Sequence, residues 1–160
     1  MEDKSSTHVE KPASIPDGWE NQVSRRRILV VDDDDDIRRF NAEALTGSGY
    51  HVDTAVDGAE GWETLAGSCY DLMITDNNMP KLSGIELIKK LKAARIAVPV
   101  ILASGVEQTE VAELHLAATL SKPFTLDELL GTVKKVLDKA GSGEWQAPAS
   151  NGPPAEPWGT

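Results

Sequence analysis

The sequence of 160 residues has one cysteine, no excess of basic residues and no long apolar run. Because Cys69 has no possible partner in the chain, an internal disulfide is excluded and a reducing compartment is expected. The net charge of −10 and the pI near 4.7 provide no basic stripe to neutralise phosphates, which argues against nucleic acid as a direct partner. No run reaches membrane-spanning length, and the first residues lack the apolar core of a signal peptide. We therefore expect a cytoplasmic protein with no membrane partner.

The composition that remains is that of one globular domain between two polar tails. Apolar residues make up 40% and charged residues 26% of the chain, and the length allows one sizeable core. The first 24 residues show no sustained period, and glycine, proline, serine and alanine dominate from Gly141 onward. We predict disordered tails over residues 1–24 and 141–160 and a folded domain over residues 25–140. Trp145 and Trp158, in the second tail, could form a partner-binding motif, but an inert tail is favoured.

Five short apolar runs predict β-strands, and periodic segments between them predict helices. Runs rich in leucine and β-branched residues suit strands that are buried on both faces. The predicted strands cover residues 28–31, 52–56, 72–74, 98–103 and 116–120. Such alternation is typical of a doubly wound α/β fold, in which right-handed crossovers place helices on both faces of a parallel sheet.

Capping signals mark where the helices begin. Asp34, Asp35 and Asp36 are expected only to cap the first helix, and capping boxes at residues 57–60, 83–86 and 125–128 open three others. The segment 107–114 is weakly periodic and has room for only about two turns, which predicts a shortened fourth helix. The predicted apolar faces consist of Ile37, Phe40, Asn41, Ala44, Leu45 and Ser48 in the first helix, Ala59, Trp62, Leu65 and Ala66 in the second, Leu87, Ile88, Leu91 and Ala94 in the third, and Leu126, Leu129, Leu130, Val133, Val136 and Leu137 in the last.

Asp76 lies just past the third apolar run, and Pro80 prevents that strand from continuing. A carboxylate at the end of a buried strand can be a nucleophile, a metal ligand or a turn-former that hydrogen-bonds its own backbone. For Asp76 taken alone the turn-forming role is the commonest, so the residues around it must decide between the three roles.

Other polar residues follow the other predicted strands. Asp32 and Asp33 follow the first strand, Ser104 the fourth and Lys122 the fifth, and in a doubly wound fold these strand ends meet at one edge. Carboxylate oxygens suit Mg²⁺ better than Zn²⁺, and the three histidines, His8, His51 and His115, have no ligand spacing. Phosphoryl transfer needs this set: a divalent cation, a fixed positive charge, a hydrogen-bond donor and an oxygen nucleophile. Individually, Asp32 could merely cap a helix, Ser104 could be a turn residue and Lys122 could be solvated.

The motifs together resemble the receiver domain of two-component response regulators. The matching stretches, in order, are Ile-Leu-Val-Val-Asp-Asp-Asp at residues 28–34, Asp-Asn-Asn-Met-Pro at 76–80 with Gly84, then Ser104, then Lys-Pro-Phe at 122–124. The resemblance covers residues 27–140. It implies a flavodoxin-like sheet with strand order 2-1-3-4-5.

The resemblance also implies a role for each site residue. Asp76 would accept a phosphoryl group from a histidine kinase or phosphotransfer protein, and Asp32, Asp33, Asp76 and the backbone carbonyl of Asn78 would hold Mg²⁺. Ser104 would donate to a phosphoryl oxygen. Lys122 would pair with another phosphoryl oxygen, and the Lys122-Pro123 peptide would be cis. The expected protein catalyses only its own phosphorylation and dephosphorylation, signals to an unidentified protein target, and is a monomer or a weak phosphorylation-dependent dimer.

Two alternatives and one departure accompany this interpretation. A Mg²⁺-dependent phosphohydrolase would use a second acid two residues past its nucleophile, where this chain has Asn78. A binding module without phosphorylation is the other alternative, although all the site residues are present. Receivers usually carry an aromatic residue three positions before the lysine; here that residue is Thr119, and the interval from Ser104 to Lys122 is about one turn short. The resemblance places the output face around this region.

Overall fold

The computed structural model describes residues 26–105 and 112–142. The predicted tail over residues 1–24 lies outside them, and so does the predicted tail over residues 141–160 except for its first two residues, which continue the last helix. Five parallel strands form one sheet in the order β2-β1-β3-β4-β5, which confirms the predicted flavodoxin-like topology. The strands are β1 (Arg27–Val31), β2 (His51–Ala55), β3 (Leu72–Asp76), β4 (Val100–Ser104) and β5 (Ala118–Ser121).

The described residues also form four α-helices and one short 3₁₀ helix, of which the last α-helix follows the last strand. The helices are α1 (Asp35–Gly47), α2 (Gly58–Gly67), α3 (Gly84–Ala93) and α4 (Leu126–Ser142), and the 3₁₀ helix is Ala112–Leu114. Of the predicted fourth helix over residues 107–114, the part before Ala112 lies outside the described residues, and the part within them is this single turn. None of the helices in the described ranges combines the length and the apolar character that crossing a membrane requires.

The predicted capping residues bind the first turns of the helices. Asp34 accepts hydrogen bonds from the backbone N–H groups of Asp36 and Ile37, both at 3.0 Å, so it caps α1 as expected. Complete capping boxes begin α3 at Ser83 and α4 at Thr125. At α2, Asp57 accepts from the Glu60 N–H at 2.8 Å, but the Glu60 carboxylate accepts from Val56 at 2.6 Å rather than from the capping residue.

The core consists of two layers, one on each face of the sheet. Side chains of β1, β3 and β4 alternate between the faces because successive residues of a strand point in opposite directions. Helices α2 and α3 cover one face and helices α1 and α4 cover the other. The first layer includes Leu29, Val31, Leu65, Met73, Leu87 and Leu102, and the second includes Ile28, Leu45, Ile74, Ile101, Leu129 and Val133. The central strands are therefore buried on both faces, as their sequences predict.

Six residues assigned to apolar helix faces are exposed instead: the large side chains of Phe40, Leu126 and Ile37, and the small ones of Ser48, Ala66 and Ala94. Phe40 is 57% exposed, Leu126 40% and Ile37 37%. Ile37 and Leu126 lie in the first turns of α1 and α4. Phe40 lies about 100° around the helix from the buried Asn41. The helical period identified the side of α1 and α4 that contains the buried Leu45 and Leu129, but not which residues on that side are exposed.

Each strand differs from its predicted range by one or two residues: β1 begins at residue 27 rather than 28, β2 covers 51–55 rather than 52–56, β3 ends at 76 rather than 74, β4 covers 100–104 rather than 98–103, and β5 covers 118–121 rather than 116–120. Strand β2 ends at Ala55, and the N–H of the exposed Val56 donates to the Glu60 carboxylate at the start of α2. Strand β5 begins at Ala118 rather than at Leu116, shortly after His115, whose φ of 56° interrupts extended backbone.

Candidate functional site

Three aspartates form a compact cluster at the carboxyl edge of the sheet. Asp32 directly follows β1, and Asp76 is the last residue of β3. Because Val31 pairs with Thr75, Asp32 and Asp76 stand side by side on neighbouring strands. Each of Asp32, Asp33 and Asp76 offers a carboxylate oxygen within 4.8 Å of the others. Asp32 is 4% exposed and Asp76 is 6% exposed, whereas Asp33 faces solvent.

A single cation lies against this cluster among the described residues. Lys122, which follows β5, places its Nζ 2.8 Å from Asp76 Oδ1 and 4.0 Å from Asp32 Oδ2. The peptide bond from Lys122 to Pro123 is cis, as the resemblance implied. The predicted convergence of residues from β1, β3 and β5 is therefore present, with the ammonium bound directly to the carboxylate of Asp76.

Ser104 and Asn78 border the cluster. Ser104 ends β4 with 9% exposure, one position beyond Ala103, which pairs with Asp76. Asn78 is exposed two residues past Asp76, in the loop between β3 and α3. The strand register thus places the hydroxyl-bearing residue at the strand end next to Asp76.

The electrostatics of the cluster are dominated by negative charge. Burial raises the pKa of Asp32 above its ordinary value of 3.8, and the nearby Asp76 and Asp33 carboxylates raise it further. The Asp34 N–H, which donates to Asp32 Oδ1 at 2.9 Å, and the Lys122 ammonium act in the opposite direction. A bound cation would relieve this excess charge.

The donor set fits a hard divalent cation. All three clustered side chains offer carboxylate oxygens, and no histidine or cysteine of the described residues belongs to the group. Oxygen ligands of this kind are what Mg²⁺ prefers. The predicted metal site is therefore chemically consistent with magnesium and poorly suited to zinc.

Two residues that support the site were not identified from the sequence as functional. Arg38, on α1, donates from Nη1 to the backbone carbonyl of Asp32 at 2.8 Å and fixes the loop that carries Asp32 and Asp33. The Asn77 side chain accepts from the Ile85 N–H at 3.0 Å and ties the loop after Asp76 to the start of α3. Arg38 binds a backbone group six residues away and Asn77 one eight residues away. Such contacts to the backbone are not revealed by any spacing of side chains in the sequence.

Gly84 allows α3 to begin directly against the end of β3, which carries Asp76. A Cβ at this position would lie 2.3 Å from the Asp76 carbonyl oxygen and 3.0 Å from Asn77 Cα. The space excludes any side chain without movement of the backbone at Asp76. This contact explains why the matched motif includes a glycine eight residues after Asp76.

Comparisons with known proteins agree with this geometry. Residues 28–134 match the response regulator receiver domain family. The chain is 40% identical over 124 residues to the transcriptional regulatory protein PrrA of Mycobacterium tuberculosis, covering 75% of this chain and 53% of that protein. The chain spans about half the length of the curated relatives it matches.

Solved receiver structures have the same fold. The receiver domain of Francisella response regulator 1452 aligns with a TM-score of 0.68 and 32% identity, covering 72% of this chain and 99% of that one. The response regulator TrrA of Thermotoga maritima, solved in complex with Mg²⁺-BeF, aligns with a TM-score of 0.64 and 34% identity, covering 69% and 98%. The family match, the sheet order and the acidic edge together show that this chain belongs to the receiver domains of two-component response regulators.

Proposed function

We propose that Asp76 accepts a phosphoryl group from a phosphohistidine on a kinase or phosphotransfer protein, in a Mg²⁺-dependent reaction. The observation that carries this proposal is the ion pair of 2.8 Å between Lys122 and Asp76, inside a cluster with two further carboxylates. A structural aspartate at a turn has no need of such surroundings. A nucleophile that must meet an anionic phosphoryl group does need them.

The chemistry follows from the positions of these groups. A carboxylate oxygen of Asp76 attacks phosphorus and forms the P–O bond while the P–N bond to the donor imidazole breaks; the imidazole nitrogen leaves with the electron pair and takes up a proton. Lys122 stabilises the charge on one phosphoryl oxygen, and Ser104 donates a hydrogen bond to another. Hydrolysis returns Asp76 to the free carboxylate: water attacks phosphorus, the P–O bond to Asp76 breaks, and inorganic phosphate leaves.

The metal would be held by Asp32, Asp33, Asp76 and the Asn78 carbonyl. When bound, Mg²⁺ supplies positive charge that neutralises phosphoryl oxygens during transfer. The protein's own residues orient the carboxylates: the Asp34 N–H fixes Asp32 Oδ1, and Arg38 fixes the Asp32 backbone. The similar response regulator TrrA was solved in complex with Mg²⁺-BeF, which supports a Mg²⁺-dependent function for the present chain.

The two rival functions have less support. A dedicated phosphohydrolase would need an acid at position 78, and Asn78 cannot supply a proton as a carboxylic acid would. A module that binds partners without phosphorylation has no use for a cluster of carboxylates in which two are buried, because such burial is costly.

Intact-mass measurement after incubation with acetyl phosphate and Mg²⁺ tests the proposal. We expect a single phosphoryl adduct that hydroxylamine removes, as it does from acyl phosphates. The adduct should be absent in Asp76→Asn and present in Asp127→Asn, a control at an exposed aspartate in the first turn of α4. Absence of any adduct on the wild-type chain would refute the phosphoacceptor function and favour the binding module.

The proposed output is a phosphorylation-dependent protein interaction or relay in the cytoplasm, without direct contact to nucleic acid. Thr119, in place of an aromatic residue, is exposed on β5 and borders a groove that it shares with Thr132 and Lys135 of α4. A switch that depends on an aromatic swing at this position is therefore excluded. We propose a monomer that at most dimerises weakly on phosphorylation.

A further inference from the structure

We propose that Asp57 and Lys81 brace the loop that carries the Asn78 carbonyl, and that this brace sets the affinity of the site for Mg²⁺. The inference rests on the proposed function, because it concerns the metal that this function requires. Asp57 precedes α2, and Lys81 lies in the loop of residues 77–83 between β3 and α3. The two residues are 24 positions apart in the sequence, but Lys81 Nζ lies 3.4 Å from Asp57 Oδ2.

The loop is fixed at its two ends through its own hydrogen bonds. Near its beginning, the Asn77 carbonyl accepts from the Gly84 N–H at 3.0 Å and the Asn77 side chain accepts from the Ile85 N–H at 3.0 Å. Within it, the Leu82 N–H donates to the Pro80 carbonyl at 2.7 Å. Within the described part of the chain no hydrogen bond holds the backbone of Asn78 itself, so its position depends on what holds the segment that follows it.

Asp57 is a rigid anchor for that segment. Its side chain is 8% exposed and accepts from the Glu60 N–H at 2.8 Å, which fixes it at the start of α2. That hydrogen bond, together with Lys81, lowers the pKa of Asp57, so the carboxylate is anionic at neutral pH. A buried carboxylate with a fixed orientation defines where an ammonium must lie to pair with it.

The loop backbone is pressed against the same anchor. A Cβ at Gly58 would lie 2.2 Å from the Leu82 carbonyl oxygen, so the start of α2 and the loop are in direct backbone contact. Lys81 has a φ of 71°, which is a left-handed conformation. This conformation is energetically unfavourable for a residue that carries a side chain. The neighbouring contacts at Asp57 and Gly58 hold the loop in this unfavourable conformation.

The brace is not a general source of stability. Lys81 is 69% exposed, and ion pairs with an exposed partner contribute little to the free energy of unfolding. The brace acts on the geometry of the site instead. Lys81 is three residues from Asn78, and a metal site loses affinity when one of its ligands is no longer held in place. Lys81 and Asp57 are thus positioning residues.

Titration calorimetry with Mg²⁺ on the unphosphorylated chain tests the brace. We expect Lys81→Met and Asp57→Asn each to weaken Mg²⁺ binding by about three- to tenfold, because either change releases the loop. If the two residues acted only as charges, removing a cation would strengthen Mg²⁺ binding and removing an anion would weaken it. Opposite directions, or no change for Lys81→Met, would overturn the proposal. Asp53→Asn, at the other edge of the sheet, is the matched control and should bind Mg²⁺ as the wild type does.

A second readout separates positioning from a loss of structure. In the acetyl phosphate reaction, Lys81→Met should raise the Mg²⁺ concentration for half-maximal rate and leave the rate at saturating Mg²⁺ within about twofold, and Lys81→Arg should restore the half-saturation. A fall in the saturating rate that Lys81→Arg does not rescue contradicts the brace. If Asp57→Asn folds poorly, Lys81→Met carries the test alone, because its side chain is exposed. Normal Mg²⁺ binding without any adduct would refute the proposed function but not the brace, and a wild-type chain that binds no Mg²⁺ would refute both.

Discussion

The two edges of the sheet use similar side chains for different ends. At the carboxyl edge, three carboxylates form a cluster, and the Lys122 ammonium lies 2.8 Å from Asp76 and 4.0 Å from Asp32. At the amino edge, the Arg27 guanidinium pairs with Asp53 at 3.1 Å and lies 4.6 Å from the centre of the Tyr70 ring, while the Tyr70 hydroxyl donates to Asp53 at 2.6 Å. The backbone N–H of Arg27 also donates to Asp71 at 2.8 Å. The charges of Arg27 and Asp53 at the amino edge are paired, whereas negative charge is in excess in the three-aspartate cluster at the carboxyl edge.

The pKa values of one aspartate at each edge reflect this difference. Burial raises the pKa of Asp32, whereas the hydrogen bond from the Tyr70 hydroxyl, with help from Arg27, lowers the pKa of Asp53. Ionised Asp53 therefore stabilises the fold, and ionised Asp32 destabilises it. An edge that maintains an unfavourable charge is the expected location of a function, because stability alone would have removed that charge.

The largest expected effect comes from removing the cation at the carboxyl edge. Lys122→Met should slow phosphorylation by acetyl phosphate about 100-fold, since one preorganised partner of a developing anion contributes about two orders of magnitude. Stopped-flow or intact-mass kinetics at saturating Mg²⁺ would measure the rate. Lys134→Met, which removes an exposed lysine paired with Asp138 on α4, is the control and should leave the rate unchanged. An unchanged rate in Lys122→Met would remove this residue from the mechanism.

Closing the space at Gly84 should damage both stability and the site. Gly84→Ala places a Cβ against the Asp76 carbonyl, and overpacking of this kind costs about 1–3 kcal/mol in the free energy of unfolding. We also expect slower phosphorylation, because the backbone of Asp76, the proposed nucleophile, must shift. Gly131→Ala in α4, where nothing lies within 4 Å of the new Cβ, should instead stabilise the protein by about 0.5–1 kcal/mol. Urea unfolding of the two variants would show whether the signs differ.

The contrast in pKa predicts opposite pH dependences at the two edges. The pKa of Asp32 is higher in the folded protein than the ordinary value of 3.8, so the protonated group favours the folded state. This contribution to stability is lost as the pH rises from 3.8 through the folded pKa. Asp32→Asn should therefore be more stable than the wild type at neutral pH without Mg²⁺, and this difference should shrink as the pH falls through that window. For Asp53, whose pKa is lowered, the wild type should lose its advantage over Asp53→Asn as the pH falls below 3.8 through the folded pKa. Urea unfolding across the pH range measures both, and equal slopes in the two pairs would contradict the contrast.

Much of the carboxyl edge could be predicted because strand ends in a parallel sheet converge by topology. Asp32, Asp76 and Lys122 each follow an apolar run of the sequence. Because the ends of parallel strands share an edge of the sheet, this order alone predicts that the three side chains lie close together. The fold followed from the same alternation of strands and helices. Roles for individual residues remain predictions, since geometry shows proximity and not chemistry.

What could not be predicted depends on where elements end and on contacts between distant segments. Ile37 and Phe40 satisfy the helical period, but both side chains are exposed, which the period alone does not predict. The pair of Asp57 and Lys81 joins two loops, and the bond from Arg38 to the Asp32 carbonyl involves a backbone atom. Such contacts leave no pattern in a single sequence, because each side chain alone is an ordinary surface or capping residue.

The smallest effect is expected at the amino edge. Tyr70→Phe removes the hydrogen bond to Asp53 and should cost about 1 kcal/mol in the free energy of unfolding, with the phosphorylation rate unchanged. Burial and the Asp53 carboxylate raise the pKa of the Tyr70 hydroxyl to about 12, so wild-type stability should decline as the pH rises from 10 toward 12, and this part of the decline should be absent in Tyr70→Phe. Spectrophotometric titration of tyrosine together with urea unfolding measures the two quantities. A change in phosphorylation rate in this variant would mean that the two edges are coupled through β1 and β3, and the separation between a stabilising edge and a functional edge would then fail.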